Sequence, residues 1–197
     1  MLLVDDVDSK DFLTRLFNAM YDELPAPKKE VIKFQVAMKE TLELEGENEM
    51  IRKGEISDIP KLVKMKLKMF EESGHESLLC DNAYEKICHV YEQLYIEEKS
   101  CHFVIEEQEI IVACCGGFLN NNIPYCFFKT DYYGFIGDVY TIPQERGKGY
   151  ATALTKRMVE WLSEKGAKEI RLLASEQGKS IYEKMGFIST DEMVLTL

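Results

Sequence analysis

The 197-residue sequence predicts a mixed α/β domain, a central sheet flanked by helices, with an N-terminal helical extension. Three observations predict it. From residue 50 the apolar period switches in the order βααβββαβαβ, a series that builds a sheet covered by helices. Before it stand two helical stripes, cut off by the charged run Glu43-Leu44-Glu45-Gly46-Glu47-Asn48-Glu49. And one strand ends in a tight turn with two glycines from which a long helix starts. The boundary therefore falls at residues 49/50, with a 1–49 extension and a 50–197 domain.

The extension opens with Asp8-Ser9, residue types that cap helices, before Phe12, Leu13, Leu16, Phe17, Met20 and Tyr21 at helical spacing. Pro25 and Pro27 stop that helix. Val31, Phe34, Met38 and Leu42 make a second stripe. In the domain, residues 50–55 read as a short strand. Ser57-Asp58 caps a helix carrying Ile59, Leu62, Val63, Met65, Leu67, Met69 and Phe70, ended by Gly74. Residues 82–97 form the next helix, with Tyr84, Ile87, Val90, Leu94 and Tyr95 inward. Strands follow at 102–106 and 109–118, then the loop Asn120-Asn121-Asn122-Ile123-Pro124. Residues 135–142 are a strand, and about 148–164 a helix with Ala151, Leu154, Met158, Trp161 and Leu162 on one face. A buried strand at 170–174, a helix at 176–185 and one or two strands at 187–197 complete the chain.

Composition narrows the function. The chain is 46% hydrophobic and 30% charged with a net charge of −11, so phosphate backbones repel it and nucleic acid is not an expected partner. No run of 18 apolar residues exists, and Met1-Leu2-Leu3-Val4 leads straight into Asp5-Asp6. Neither a membrane span nor a secretory leader is expected. The cysteines (Cys80, Cys88, Cys101, Cys114, Cys115, Cys126) form no C-x-x-C pair, and His75, His89 and His102 complete no zinc spacing. Reduced thiols in a cytoplasmic protein without a metal are the expectation. Cys114-Cys115 lies in an apolar run, where thiols act as small hydrophobes.

The chemistry concentrates in Asp138-Val139-Tyr140-Thr141-Ile142-Pro143-Gln144-Glu145-Arg146-Gly147-Lys148-Gly149-Tyr150-Ala151-Thr152. The first N–H groups of a helix have no internal partner, and the helix dipole places positive charge there. Gly147 and Gly149 let an anion approach the backbone, and Arg146 and Lys148 add charge. Residues 146–171 carry a net +4 inside an acidic chain. A P-loop spacing is absent, and a dinucleotide fingerprint would need Gly or Ala where Thr152 stands.

Gln144-x-x-Gly147-x-Gly149 resembles the [QR]-x-x-G-x-[GA] signature of the GNAT superfamily, the acyl-CoA-dependent N-acyltransferases. The resemblance extends to Pro143, to Arg146-Gly147-Lys148-Gly149, to Ser180-Ile181-Tyr182-Glu183-Lys184-Met185-Gly186-Phe187, and to the βαα opening at Met50. It covers about residues 50–197. It implies that the strand before the turn splays from its neighbour and takes the pantetheine arm of acetyl-CoA, the co-substrate, along its edge. Val139, Tyr140 and Thr141 would offer backbone hydrogen bonds to that arm. Arg146, Gly147, Lys148, Gly149, Tyr150 and Ala151 would hold the pyrophosphate. Tyr182 would be the general acid. Ser175 suffices as a helix N-cap, and it also stands as a candidate CoA contact where the family often has Asn. The general base stays open among Asp138, Glu106, Glu107, His102 and a water chain.

The expected reaction is acetyl transfer from acetyl-CoA to an amine of a small molecule or peptide by direct attack. The alternatives are a non-catalytic CoA-binding regulatory module of the same fold, and an interaction protein acting through residues 1–49. The aromatic-rich insert 120–133 could wall the acceptor site. The extension's apolar stripes call for burial on the domain or on a second copy, which makes a homodimer a candidate assembly.

Overall fold

The computed structural model describes residues 51–123, 131–193 and 195. The two helices and the linker expected in the extension lie outside the described residues. So do the centre of the 120–133 insert and Cys126.

The described elements run β1 (Ile51–Lys53), α1 (Ile59–Glu72), α2 (Ala83–Ile96), β2 (Ser100–Glu107), β3 (Ile110–Asn121), β4 (Tyr132–Thr141), α3 (Tyr150–Glu164), β5 (Ile170–Leu172) and α4 (Glu176–Lys184). They form one five-stranded mixed sheet in the order β1-β2-β3-β4-β5. The first four strands are antiparallel, and β5 runs parallel to β4. Parallel pairing needs a crossover, which α3 supplies.

Side chains alternate across each strand, so the sheet feeds two apolar layers. One face packs Phe103, Ile105, Val112, Cys115 and Ile136 against Leu154, Met158, Trp161 and Leu162 of α3. Fully burying each such α3 side chain contributes about 1.5–3 kcal/mol before the entropic cost of ordering it. The other face puts Val104, Ile111, Cys114 and Tyr140 against Leu62 and Met65 of α1. Ile59 and Val63 of α1 pack on Tyr91 of α2.

Four expectations are corrected. The helix at 82–97 keeps Tyr84, Ile87 and Tyr95 inward as expected, but Val90 is 49% exposed and its neighbour Tyr91 is buried. The apolar run at 170–174 is a short, half-buried edge strand, with Leu173 already 86% exposed. The described residues of 187–197 form no strand, so β5 is the last strand among the described residues. Part of the expected insert belongs to the sheet, because Asn120 pairs with Tyr133 and Asn121 with Tyr132.

Candidate active site

The site begins with a break in a strand. β4 pairs with β5 only at Gly134, Phe135 and Ile136. Beyond Ile136 the register between β3 and β4 shifts, from Gly116 opposite Gly137 to Cys114 opposite Tyr140. Asp138 and Val139 thus face Cys115 alone, a bulge that bends and twists the strand. Asp138 has φ 55°, a left-handed conformation rarely adopted by residues other than glycine, though Asp and Asn tolerate it best. Past the bulge, Tyr140 and Thr141 remain paired to β3, whereas β4 has left β5. Beyond Ile136 the outer edge of β4, which includes Val139, Tyr140 and Thr141, pairs with no strand among the described residues.

The edge leads into the turn. Gly147 (φ 83°) and Gly149 (φ 84°) are both left-handed, and Gly149 is the N-cap of α3. A Cβ built on either glycine meets nothing within 4 Å. The turn is therefore an open cradle facing the unpaired N–H groups of Tyr150 and Ala151. Arg146 and Lys148 flank it, each already facing acid. Arg146 Nε donates to the Thr141 carbonyl at 3.0 Å, and its other arm ion-pairs with Glu72, the last residue of α1. Tyr140 donates to the same Glu72 carboxylate at 2.8 Å, and its ring lies under the guanidinium. These bonds from Arg146 and then Tyr140 hold the Glu72 carboxyl below its usual range. Lys148 pairs with Glu145 and lies 3.6 Å from Glu107, to which Tyr150 also donates. An anion entering the cradle competes with these carboxylates for both cations.

Tyr182 comes up on α4. Its ring packs edge-on against Phe187 at 5.9 Å between centroids, and it stands near Cys115, the β3 residue opposite the bulge. Burial first, then the Cys115 thiol, push its hydroxyl up to about 12. No hydrogen bond among the described residues engages that hydroxyl. It stays protonated and available as a donor. Ser175 is the N-cap of α4, its Oγ accepting from the Gly178 N–H at 3.2 Å, so its hydroxyl has a local structural use.

The base candidates are all engaged. Asp138 accepts from Lys66 of α1, from Tyr91 of α2 and, at 3.1 Å, from His102 Nε2. Burial alone would raise its pKa. The His102 hydrogen bond and the Lys66 charge overcome that and hold the carboxyl well below the usual range, which makes it a poor base. His102 is fully buried, with Nδ1 2.9 Å from the Tyr95 hydroxyl. Glu106 is bound by Arg52, and Glu107 by Tyr150 and Lys148. Sequence reasoning missed Lys66, Glu72 and Tyr91. Lys66 carried a readable signal: it falls on the Leu62/Val63 stripe of α1, where an apolar residue would be routine.

The chain matches the Acetyltransferase (GNAT) family over residues 67–187, more than half its length. The chain belongs to the GNAT acetyltransferase family. Among solved structures, a predicted acetyltransferase from Clostridium acetobutylicum, determined with acetyl-CoA, is 27% identical. That match covers 75% of this chain and 94% of the other, with a TM-score of 0.70. A GCN5-related N-acetyltransferase from Ralstonia eutropha JMP134 shares the fold at 24% identity and TM-score 0.69, covering 75% and 97%. So does an aminoglycoside antibiotic 6'-N-acetyltransferase from Acinetobacter haemolyticus, at 16% identity and TM-score 0.57, covering 75% and 96%. No curated protein matches the chain significantly. Within this GNAT domain no group of His, Cys, Asp and Glu among the described residues could hold a metal ion, and no described helix is long and apolar enough to cross a membrane.

Proposed function

We propose that this GNAT domain transfers the acetyl group of acetyl-CoA directly to an amine of a small molecule or peptide. The observation that carries the reading is the continuity of one path. The edge freed at the Asp138 bulge runs through residues 139–141 into the Gly147/Gly149 cradle at the N-terminus of α3. A ligand with an extended amide-bearing arm and a pyrophosphate matches that path, and the Clostridium relative was solved with such a ligand. Acetyl-CoA supplies the activated thioester.

This chain's residues then take the following roles. Backbone groups of Val139, Tyr140 and Thr141 align the arm as an added strand. N–H groups of Gly147, Gly149, Tyr150 and Ala151, with Arg146 and Lys148, hold the pyrophosphate once Glu72 and Glu145 yield their cations. Ser175, the N-cap of α4, is a further CoA contact in this reading. A β4 N–H at the bulge takes the negative charge that forms on the thioester oxygen when the amine attacks. The C–S bond breaks, the sulfur leaves with the electron pair, and Tyr182 donates its proton to it. With a pKa near 12 the phenol keeps that proton until the sulfur carries charge. The attacking nitrogen loses its proton to a water chain, since Asp138, His102, Glu106 and Glu107 already accept or donate elsewhere.

In this reading residues 1–49 are an extension separate from the catalytic domain at 50–197. The described cysteines are all unpaired, and Cys101, Cys114 and Cys115 are buried, which fits the reducing cytoplasm. The test is incubation with acetyl-CoA and a panel of amines, following free thiol and acetylated acceptor. Equal release of both supports the reading; CoA binding without transfer to any amine favours a regulatory module.

A further inference from the structure

One side chain ties four elements together at the point where the cleft opens. Asp138 of β4 is bound by Lys66 from α1, Tyr91 from α2 and His102 from β2. Its carboxylate is 3% exposed and His102 is fully buried. The tautomer follows from counting donors. The Asp138 carboxylate can only accept, so it takes a hydrogen from His102 Nε2 at 3.1 Å, while the Tyr95 hydroxyl accepts from the His102 backbone N–H at 3.0 Å and lies 2.9 Å from Nδ1. Gly116 makes room for the ring, because a Cβ there would lie 2.7 Å from Nε2. One carboxylate thus receives three donors, among them the Lys66 ammonium.

The same residue has the left-handed backbone that produces the bulge. A non-glycine residue stays in that conformation when its surroundings over-determine it. Here the carboxylate, anchored from α1, α2 and β2, holds the backbone turned, so β4 departs from β5 after Ile136.

We propose that Asp138, clamped by Lys66, Tyr91 and His102, is the positioning residue that holds the pantetheine-facing edge of β4 in its splayed register. This rests on the proposed acetyl-CoA site. The clamp acts on the edge at 139–141 and leaves the glycine cradle alone, since no clamp residue bonds to the turn. CoA uses both edge and cradle, whereas ADP carries the pyrophosphate without the arm and uses only the cradle. The two ligands therefore separate local positioning from general destabilisation.

The experiment measures CoA and ADP dissociation constants for the full chain and for Asp138→Asn, with thermal melts beside them. Asparagine keeps the size and the tolerance of left-handed φ while removing the charge that holds Lys66. The expected result is a CoA Kd raised about tenfold, or about 1.4 kcal/mol, with the ADP Kd changed less than about twofold. If Asp138→Asn does not fold, Tyr91→Phe, which removes one donor hydroxyl, takes its place with the same expected pattern. Equal weakening of both ligands, or unchanged CoA binding in a folded variant, overturns the clamp. Failure of the parent chain to bind either ligand instead sinks the site itself and the clamp with it.

Discussion

Placing a carboxylate at residue 149 separates the stability of the turn from its use. Gly149 sits at φ 84° and ψ 0° with open space where a Cβ would go. Gly149→Asp thus meets no clash. Left-handed strain costs an L-residue about 1–2 kcal/mol, at the low end for Asp. A carboxylate at a helix N-cap returns about 0.5–1 kcal/mol of that. The melting temperature should fall by no more than a few degrees. The ligand term is larger. Two unit charges 5 Å apart at an effective dielectric of 20 repel by about 3 kcal/mol, and surface screening leaves about 2 kcal/mol. That is about thirtyfold in the CoA dissociation constant. Gly149→Asn supplies the same shape without the charge, so calorimetric titration of both variants isolates repulsion. The gap between them should narrow as salt rises toward 1 M, where the screening length is about 3 Å. Equal CoA affinity for the two variants, or full CoA-induced stabilisation of a folded Gly149→Asp protein, would refute the cradle as the pyrophosphate site.

Three other outcomes follow from the same structure. Tyr182→Phe keeps the ring that packs on Phe187 and should lower kcat at least about tenfold with CoA affinity little changed; a parent rate between pH 6 and 9 would make Tyr182 a packing residue. Asp58 has its pKa lowered by hydrogen bonds from Arg52, against the cost of burial, and Asp138 is also depressed. Both groups therefore contribute stability above the unfolded carboxylate value of about 3.9 that is lost as pH falls through their lower folded values. Thermal melts should be level near pH 6 and decline below about pH 4, less steeply in Asp58→Asn. Expressed alone, residues 50–197 should stay folded and bind CoA as the full chain does; an insoluble or unfolded segment would contradict the boundary at 49/50.

What could be read in the sequence was local. The strand, the two-glycine turn and α3 announce themselves within one stretch, because left-handed positions and helix starts depend on neighbouring residues. The α4 helix, its Ser175 cap and the placing of Tyr182 are legible for the same reason. What could not be read was long-range. Asp138 looks like an ordinary acid on a strand, and its partners lie 72, 47 and 36 residues away. Its left-handed backbone has no glycine to advertise it. The pairing of Arg146 with Glu72 spans 74 residues and was equally hidden. Periodicity also leaves single positions open, which is why Val90 took an inward place that belongs to its neighbour Tyr91 while Tyr84, Ile87 and Tyr95 kept theirs. An apolar run such as 170–174 does not say whether both sides are covered; here no further strand follows among the described residues, and Leu173 is exposed.

The most direct test of the account is single-turnover mixing of the protein with acetyl-CoA and an amine panel, with thiol release and acetylated product read from the same sample. The account predicts that one class of amine gives thiol and acetyl-amine in equal amounts, and that Gly149→Asp loses both together. Thiol release without acetylated amine, or transfer that survives Gly149→Asp undiminished at limiting acetyl-CoA, would contradict it.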